Sequence, residues 1–295
     1  MKRNPAYRLG TFKAALALTK ILPRDIGQEI AAAIGRASYG VCRDARETMC
    51  ANLALATEKS GDALDELCRA NFENFLKMLA DYFYCSIAAP TQIRTLIEDL
   101  RGFAHLAAAR ERGKGGILIT AHLGNWEMGG ILLALDGVPL SVVTLEEPTT
   151  ALTKWREEYR RRLGIKTIAV GSDKFAFVEI ISALRRNEFV AMLVDRPYAN
   201  SGAPVRFFNH DALFSNAPAL LWSHTDAAVL PAFVLQNTNG RYTSLIEPPI
   251  AMDADAAASS QRIANAFESI IRAHPEQWYN YVPIWKDDGR NMDEN

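Results

Sequence analysis

From Gly116 onward the chain alternates between short apolar, β-branched runs and longer amphipathic ones, and this alternation constrains the fold more than any other feature. The runs 116–121, 140–144, 166–170, 189–194, 229–234 and 242–246 read as strands, and the stretches 150–163, 173–187 and 216–224 between them as helices. Strands separated by helices are joined by crossovers, which parallel neighbours require. The expectation is an α/β fold, a mainly parallel sheet flanked by helices. Residues 1–88 show no comparable strand runs, and the segments 25–36 and 65–84 carry helical apolar spacing, so a helical N-terminal region precedes the sheet. With no internal repeat, low-complexity tract or long linker, the 295 residues are expected to form one domain, 1–88 helical and 89–295 an α/β core closed by a C-terminal helix.

Ligands of open α/β sheets sit at the carboxyl ends of the strands. Two polar residues fall there, His122 after the run 116–121 and Asp195 after the run 189–194. His122 opens the string His122-Leu-Gly-Asn-Trp-Glu127, which joins its strand to a helix through 135. Gly124 permits a tight bend, and Asn125 is a natural N-cap that leaves Glu127 in the first helical turn. Five residues advance a helix by more than a turn, so His122 and Glu127 share no helical face; across a turn they can converge. A carboxylate held against one imidazole nitrogen fixes the tautomer and frees the other nitrogen to accept a proton. On residue types alone, an ordinary buried histidine beside an N-terminal helix acid fits equally well. Asp195 precedes Arg196-Pro197, which end any strand, so it reads either as a site residue or as a turn-initiating aspartate.

Several function classes lack support. The formal charge is −1, with no zinc-finger spacing or aromatic RNA-binding signature, so no nucleic-acid partner is expected. The nearest approach to a nucleophile elbow, Arg36-Ala-Ser38-Tyr-Gly40, lacks the first glycine and lies in a helical region. P-loop, dinucleotide and zincin motifs are missing. The five histidines, 105, 122, 210, 224 and 274, are scattered, and His224 and His274, in or at the end of helical runs, read as surface or capping residues rather than metal ligands. Cys42, Cys50, Cys68 and Cys85 match no metal spacing and read as buried free thiols, a disulfide being the less favoured alternative.

The string from His122 to Glu127, following Ile-Leu-Ile-Thr, resembles the H-x4-E/D signature of glycerolipid acyltransferases in the form used by bacterial lipid A biosynthesis (lauroyl/myristoyl) acyltransferases. Further blocks resemble that family in order: Arg160-Arg-Arg162-Leu-Gly-Ile, the run from Ala183 to Asp195, Arg206-Phe-Phe208, Ala217-Pro218-Ala219, Ala228 to Phe233, Glu247-Pro-Pro249 and Pro275-Glu-Gln-Trp278. The resemblance covers nearly the whole chain. It implies an O-acyltransferase that needs no metal or cofactor and uses an acyl carrier protein or coenzyme A thioester as donor and a lipid hydroxyl as acceptor. His122 would be the general base with Glu127 orienting it, and Asn125, Arg160, Arg162, Asp195 and Phe208 would bind substrate. Backbone amides beside Gly124, or a nearby cation, would stabilise the oxyanion. A lysophospholipid, aminolipid or phosphatidylinositol mannoside acyltransferase, or an inactive lipid-binding protein of the same fold, are the alternatives.

A lipid substrate directs attention to the N-terminus. Lys2, Arg3, Arg8, Lys13, Lys20 and Arg24 precede the first acid, Asp25, and stand among Leu9, Phe12, Leu16, Leu18, Ile21 and Leu22. The lysines interrupt this stretch well short of the roughly 20 apolar residues a span needs. Residues 1–24 are therefore expected to lie on the cytoplasmic face of the inner membrane as a peripheral or monotopic helix, the alternative being a helix whose apolar arc packs on the protein itself. The chain also departs from the family pattern. The usual basic ending after Pro-Glu-Gln is replaced by Trp278-Tyr-Asn-Tyr-Val-Pro-Ile-Trp285-Lys286, an Arg-Pro element by Glu146-Glu147-Pro148, and a glycine by Asn209. Fewer cations and more carboxylates predict an acceptor less anionic than the Kdo-bearing lipid A precursor, unless Arg196 and Arg206 compensate.

Overall fold

The computed structural model describes residues 9–145, 149–171, 175–197 and 202–285. Lys2, Arg3, Arg8, Glu146-Glu147-Pro148 and Lys286, all singled out above, lie outside the described residues. The N-terminal region is helical: α1 (Leu9–Thr19), α2 (Arg24–Val41), α3 (Arg43–Thr57), α4 (Gly61–Cys85) and the short α5 (Pro90–Thr95). Strands and helices then follow as β1 (Ile97–Arg101), α6 (Phe103–Glu111), β2 (Gly116–Thr120), α7 (Trp126–Leu135), β3 (Leu140–Leu145), α8 (Thr150–Arg162), β4 (Lys166–Val170), α9 (Ala176–Arg185) and β5 (Phe189–Leu193). A hairpin of β6 (Gly202–Phe207) and β7 (His210–Ser215) leads to α10 (Ala217–Thr225), β8 (Ala228–Gln236), β9 (Tyr242–Ile246), α11 (Ala256–Ala273) and a 3-10 turn at Pro275–Gln277.

Seven strands form one sheet in the order β1-β9-β8-β2-β5-β3-β4, with β6 and β7 as a separate ribbon. From β8 to β4 all neighbours are parallel, while β9 runs antiparallel to β8 and carries β1 parallel to it. The fold is thus α/β with a mostly parallel sheet flanked by helices, and the six strands read from the sequence are all present. The central strand β2, Gly-Ile-Leu-Ile-Thr, is buried for four of its five residues, as a strand covered on both faces must be. Ile117 and Ile119 pack with Ile180 and Leu184 of α9, Leu221 of α10 and Phe267 of α11. Leu118 faces the other side, toward Leu106 of α6 and Leu133 of α7.

Pro231 sits inside β8, where a missing N–H would normally break a ladder. The register explains its tolerance: β8 pairs with β2 as far as Ile119↔Pro231, and its antiparallel pairing with β9 begins at Ala232↔Ile246. Beyond Pro231, β8 runs past the end of β2, leaving a carbonyl edge that the loop after β2 uses.

α4 is the element on which α1, α2 and α3 assemble. Gly35 lets α2 approach closely, because a Cβ there would stand 2.7 Å from the Glu73 Cα and from the Phe72 carbonyl oxygen. On α1, Phe12 is buried against Phe83 of α4 and Trp155 of α8, so part of the apolar arc expected at a membrane is turned into the protein. The exposed apolar side chains lie further along: Leu18, Ile21 and then Ile26, Ile30 and Ile34 at helical spacing on α2. No helix among the described residues is long and apolar enough to cross a membrane.

The cysteine reading needs correction. Cys50 on α3 and Cys68 on α4 face each other with Cα atoms 5.8 Å apart and are joined as a disulfide, while Cys42 and Cys85 are free. The turn between the two helices folds residues separated by 18 positions onto one another, which metal-type spacing rules do not register. Strand β1 and the β6–β7 hairpin were also absent from the sequence reading. Ile-Glu-Asp-Leu-Arg of β1 is an exposed edge strand with two acids, and β6 carries Pro204. β1 lacks the apolar alternation that marks a strand, and in β6 the alternation of Ala203, Val205 and Phe207 is interrupted in sequence by the proline. The hairpin turns through Phe208 and Asn209, both at positive φ, and asparagine tolerates that conformation where most side chains resist it.

Candidate active site

The parallel register of β2 and β5 sets the geometry. Thr120 pairs with Leu193, so His122 and Asp195, each two residues further on, emerge side by side at the carboxyl end of the sheet. The imidazole Nδ1 lies 2.7 Å from Asp195 Oδ1. The other carboxylate oxygen, Oδ2, accepts from the His122 backbone N–H at 3.0 Å, the Asn280 amide at 2.8 Å and the Trp278 indole at 3.2 Å. A carboxylate facing only donors is ionised and fixes the imidazole with its proton on Nδ1. Nε2 has no hydrogen-bond partner among the described residues, and the histidine side chain keeps 23% of its surface exposed.

Asp195 is fully buried, and burial alone would raise its pKa. The charge and hydrogen bond of His122, the nearby Arg196 and the His122 backbone N–H outweigh that cost and hold the carboxyl well below its usual range. For His122 the balance runs the other way. Burial penalises the imidazolium, and although Asp195 attracts it, the positive field of Arg196 opposes it, so the pKa lies below the ordinary imidazole value. The ring is therefore neutral near pH 7, with a lone pair available on Nε2.

The loop carrying His122 is held from both sides. Gly124 N donates to the Gln277 carbonyl at 2.9 Å, Asn125 N donates to the Val234 carbonyl of β8 at 2.7 Å, and Tyr279 N donates to the His122 carbonyl at 2.6 Å. Gly124 has φ 64°, and a Cβ there would stand 2.1 Å from the Val234 oxygen, so only glycine fits. The amides of Gly124 and Asn125 are thus already spent. Of the two oxyanion stabilisers expected from the sequence, amides beside Gly124 or a cation, the cation remains. The cap is as read from the sequence: Asn125 Oδ1 accepts from Met128 N at 3.0 Å, a contact worth about 1 kcal/mol in typical helices. Its Nδ2 reaches the Tyr242 hydroxyl at 3.4 Å, so this buried side chain, expected to touch substrate, is committed to the helix and to β9.

Glu127 does not orient the imidazole. Arg160 of α8 grips it with both Nε, at 3.2 Å, and a terminal nitrogen, in a pair that is nearly buried. Burial would raise the Glu127 pKa, but the charge and hydrogen bonds of Arg160, helped by Arg156, keep it below the ordinary value. The orienting role falls to Asp195, 73 residues from His122 in sequence. Arg160 does reach the site, through Glu127. Arg162, two positions on, points outward and pairs with Glu158 at 3.1 Å on the helix surface, away from the pair. Arg206 is likewise exposed and pairs with Asp211 at 2.8 Å. Phe208 is buried in an aromatic cluster with Phe207, Trp278 and Trp285, and the Arg272 guanidinium lies 4.7 Å from its ring centroid. Its link to the site runs through Trp278, the donor to Asp195.

Beside this constellation, between α7 and the sheet, lies a narrow apolar crevice of about 70 Å³. Trp126 and Glu127 line it, with Leu118, Val142, Ala191 and Ala232 from the strands. Small residues make the room: Gly130 of α7 stands opposite Ile165, Leu140 and Val142, and a Cβ there would just reach them at 3.6 to 3.9 Å. The Trp126 ring centroid is 5.6 Å from that of His122, so crevice and imidazole are neighbours. Among the described residues, no three His, Cys, Asp or Glu side chains cluster as metal ligands.

The sequence resemblance implied a pair of His122 with Glu127, and the structure sets Asp195 against the imidazole instead; the family itself is tested by comparison with known proteins. The family model for bacterial lipid A biosynthesis acyltransferases matches residues 6–287. The chain belongs to that family. It is a lipid acyltransferase. A phosphatidylinositol mannoside acyltransferase of Mycolicibacterium smegmatis is 25% identical over 276 residues, covering 93% of this chain and 90% of that one. The enzyme of the same name from Mycobacterium tuberculosis is 29% identical over 196 residues, 66% of this chain and 62% of its own length. A lipid A biosynthesis acyltransferase of Haemophilus influenzae is 26% identical over 199 residues, 65% of this chain and 60% of its own.

Proposed function

We propose that this acyltransferase moves a fatty acyl chain from an acyl carrier protein or coenzyme A thioester to a hydroxyl of a membrane glycolipid, with His122 as general base. The observation that carries this is the Nδ1 contact of 2.7 Å to Asp195, which leaves Nε2 without a hydrogen-bond partner among the described residues, beside an apolar crevice. Nε2 takes the proton of the acceptor hydroxyl as its oxygen attacks the thioester carbonyl. The C–O bond forms, the tetrahedral centre collapses, the C–S bond breaks, and the thiolate leaves with the proton returned from the imidazolium. Asp195 stabilises that transient imidazolium without moving. Arg196 is the cation that acts electrostatically on both members of the pair and is suited to the oxyanion or to an acceptor phosphate. Glu127 and Arg160 hold each other at the crevice wall, where the acyl chain would lie. No step calls on a metal or a cofactor.

The acceptor favoured is a phosphatidylinositol mannoside or a similar glycolipid of low charge, rather than the multiply phosphorylated lipid A precursor. Two observations support it. A phosphatidylinositol mannoside enzyme matches along nearly the full length of both chains. Three arginines that could have met extra phosphates, Arg160, Arg162 and Arg206, are paired with Glu127, Glu158 and Asp211. Attachment to a membrane is proposed through Leu18, Ile21 and the stripe Ile26, Ile30 and Ile34, which extends the contact expected of residues 1–24 onto α2. The experiment is direct: purified protein is given palmitoyl-coenzyme A or palmitoyl-acyl carrier protein with either phosphatidylinositol mannoside or the Kdo-bearing lipid A precursor, and products are read by mass spectrometry. Transfer to the mannoside is expected. Transfer to the lipid A precursor alone would overturn the acceptor assignment, and transfer by His122→Ala at the wild-type rate would overturn the general base.

A further inference from the structure

The C-terminal segment after the 3-10 turn brings two donors to Asp195, and it is clasped from the far side by two buried asparagines. Asn52 of α3 donates through Nδ2 to the carbonyls of Asn280 and Val282, both at 2.8 Å, and accepts from Ile284 N at 3.3 Å. Asn71 of α4 donates to the Trp278 carbonyl at 2.8 Å and accepts from the Tyr281 hydroxyl at 3.2 Å. Between these clasps, Trp278 and Asn280 are fully buried and both aim at Asp195 Oδ2. Asn280 is the unexpected member. Its Nδ2 is satisfied by the carboxylate, but its own Oδ1 is buried without a hydrogen-bond partner among the described residues. The amide cannot be turned round, because that would set oxygen against an ionised carboxylate. A buried acceptor left unpaired destabilises the fold, and an apolar side chain of similar size would avoid it. A residue kept only for packing would not carry that defect, so its value lies in the donor it offers Asp195.

We infer that Asn280 is a positioning residue for the acyl-transfer reaction: its amide, with the Trp278 indole, ties Asp195 Oδ2 into the protein so that Oδ1 is left to the imidazole of His122 alone. The tie also sets how strongly the carboxylate attracts the imidazole proton. Neutral donors on Oδ2 spread the negative charge away from Oδ1. With Asn280 removed, more charge remains on Oδ1, the imidazolium is better stabilised, and His122 becomes more basic. The charged and titratable groups around the pair are Arg196 after β5, Glu127 on α7 with Arg160 on α8, and Tyr279 on the C-terminal segment. All of these are kept when Asn280 is changed.

The inference rests on His122 as the proposed proton acceptor, and its test begins with a measurement that needs no substrate. The wild type, Asn280→Leu and Trp278→Phe are labelled with carbon-13 at histidine Cε1, the His122 resonance is assigned by its loss in His122→Gln, and each protein is titrated by NMR. The His122 midpoint is expected to rise by roughly half a unit to one unit in Asn280→Leu, and by less in Trp278→Phe, whose lost contact is longer. Thermal stability is measured alongside, since Asn280→Leu removes both the orphaned Oδ1 and the Nδ2 contact to the carboxylate, two changes of opposite sign. Thiol release from palmitoyl-coenzyme A in the presence of phosphatidylinositol mannoside should then show a lower kcat, an unchanged KM and an acid limb displaced to higher pH. An unmoved midpoint in both variants overturns the inference, as does a kcat loss with no displacement of the acid limb. If Asn280→Leu does not fold, Trp278→Phe carries the same test. A wild type that transfers nothing, with the midpoints displaced as expected, sinks the functional reading and leaves the tie intact.

Discussion

Two carboxylates stand within a short distance of the same turn, and their surroundings differ. Asp195 lies at the end of β5 with an imidazole, an indole, an amide and a backbone N–H as its hydrogen-bond partners, and the cation of Arg196 acts on it from nearby. Glu127 lies in the first turn of α7 and faces a guanidinium that holds it from two nitrogens. Both are held in the ionised form, each by a different means. A carboxylate neutralised by a permanent cation has little field left to offer an imidazole, whereas one held by neutral donors keeps its charge available. The difference supports the proposed proton chemistry on the Asp195 side and a structural part for Glu127.

The largest expected effect breaks the first half of the comparison. Asp195→Ala or His122→Ala should lower transfer by about 10² to 10⁴-fold with circular dichroism unchanged. Asp195→Asn should be as damaging, because an amide that donates to Nδ1 puts the proton on Nε2 and removes the base. Wild-type turnover in Asp195→Asn would show that Glu127, not Asp195, serves the imidazole. Next comes the Glu127 side. Glu127→Gln takes the negative charge out of the buried pair with Arg160 and should cost about 3 to 5 kcal/mol in denaturant unfolding, and transfer falls with it. The pH dependence of the residual activity should stay put. An acid limb displaced in Glu127→Gln would merge the two roles that the geometry separates.

The wild-type pH profile sharpens the same contrast. Because the His122 pKa is depressed, the neutral, active form persists below the ordinary imidazole value of about 6.5, and kcat/KM should begin to fall only below that pH, tenfold per unit thereafter. A limb centred at or above the ordinary value would contradict the balance of burial and Arg196 over Asp195. A smaller effect is expected in the crevice. Gly130→Leu should fill the space before Ile165, Leu140 and Val142 and shift donor preference toward shorter chains by about tenfold, read as kcat/KM for palmitoyl against decanoyl thioesters. The smallest concerns the surface: Ile30→Glu with Ile34→Glu on α2 should weaken binding to phosphatidylglycerol vesicles several-fold at unchanged thermal stability, and undiminished sedimentation with vesicles would remove α2 from the membrane contact.

Much of this was legible in the sequence, and what was not has a physical reason. The alternation of β-branched and amphipathic runs carried the parallel sheet, because a strand covered on both faces writes itself as an apolar run. The positions of His122 and Asp195 at strand ends placed both in one crevice. Their direct pairing could not be read, because it depends on β5 lying next to β2, and strand order is a property of the crossovers rather than of either segment. Glu127 was near in sequence and of the right chemistry, so proximity favoured it over a carboxylate 73 residues away. The segment Trp278-Tyr-Asn280 was noticed for the cations it lacks. Its positive contribution, two donors to a buried carboxylate, appears only when the C-terminal segment is seen crossing the turn after β2.

That crossing also bears on the order in which the protein becomes competent during its synthesis. The strands bearing His122 and Asp195, and the helices behind them, leave the ribosome before Gln277, Trp278, Tyr279 and Asn280, which fasten the His122 loop and the carboxylate. A nascent chain therefore has the strands that wall the crevice before it has the segment that fastens the His122 loop and Asp195, and aiming of the imidazole waits for residues 277–280.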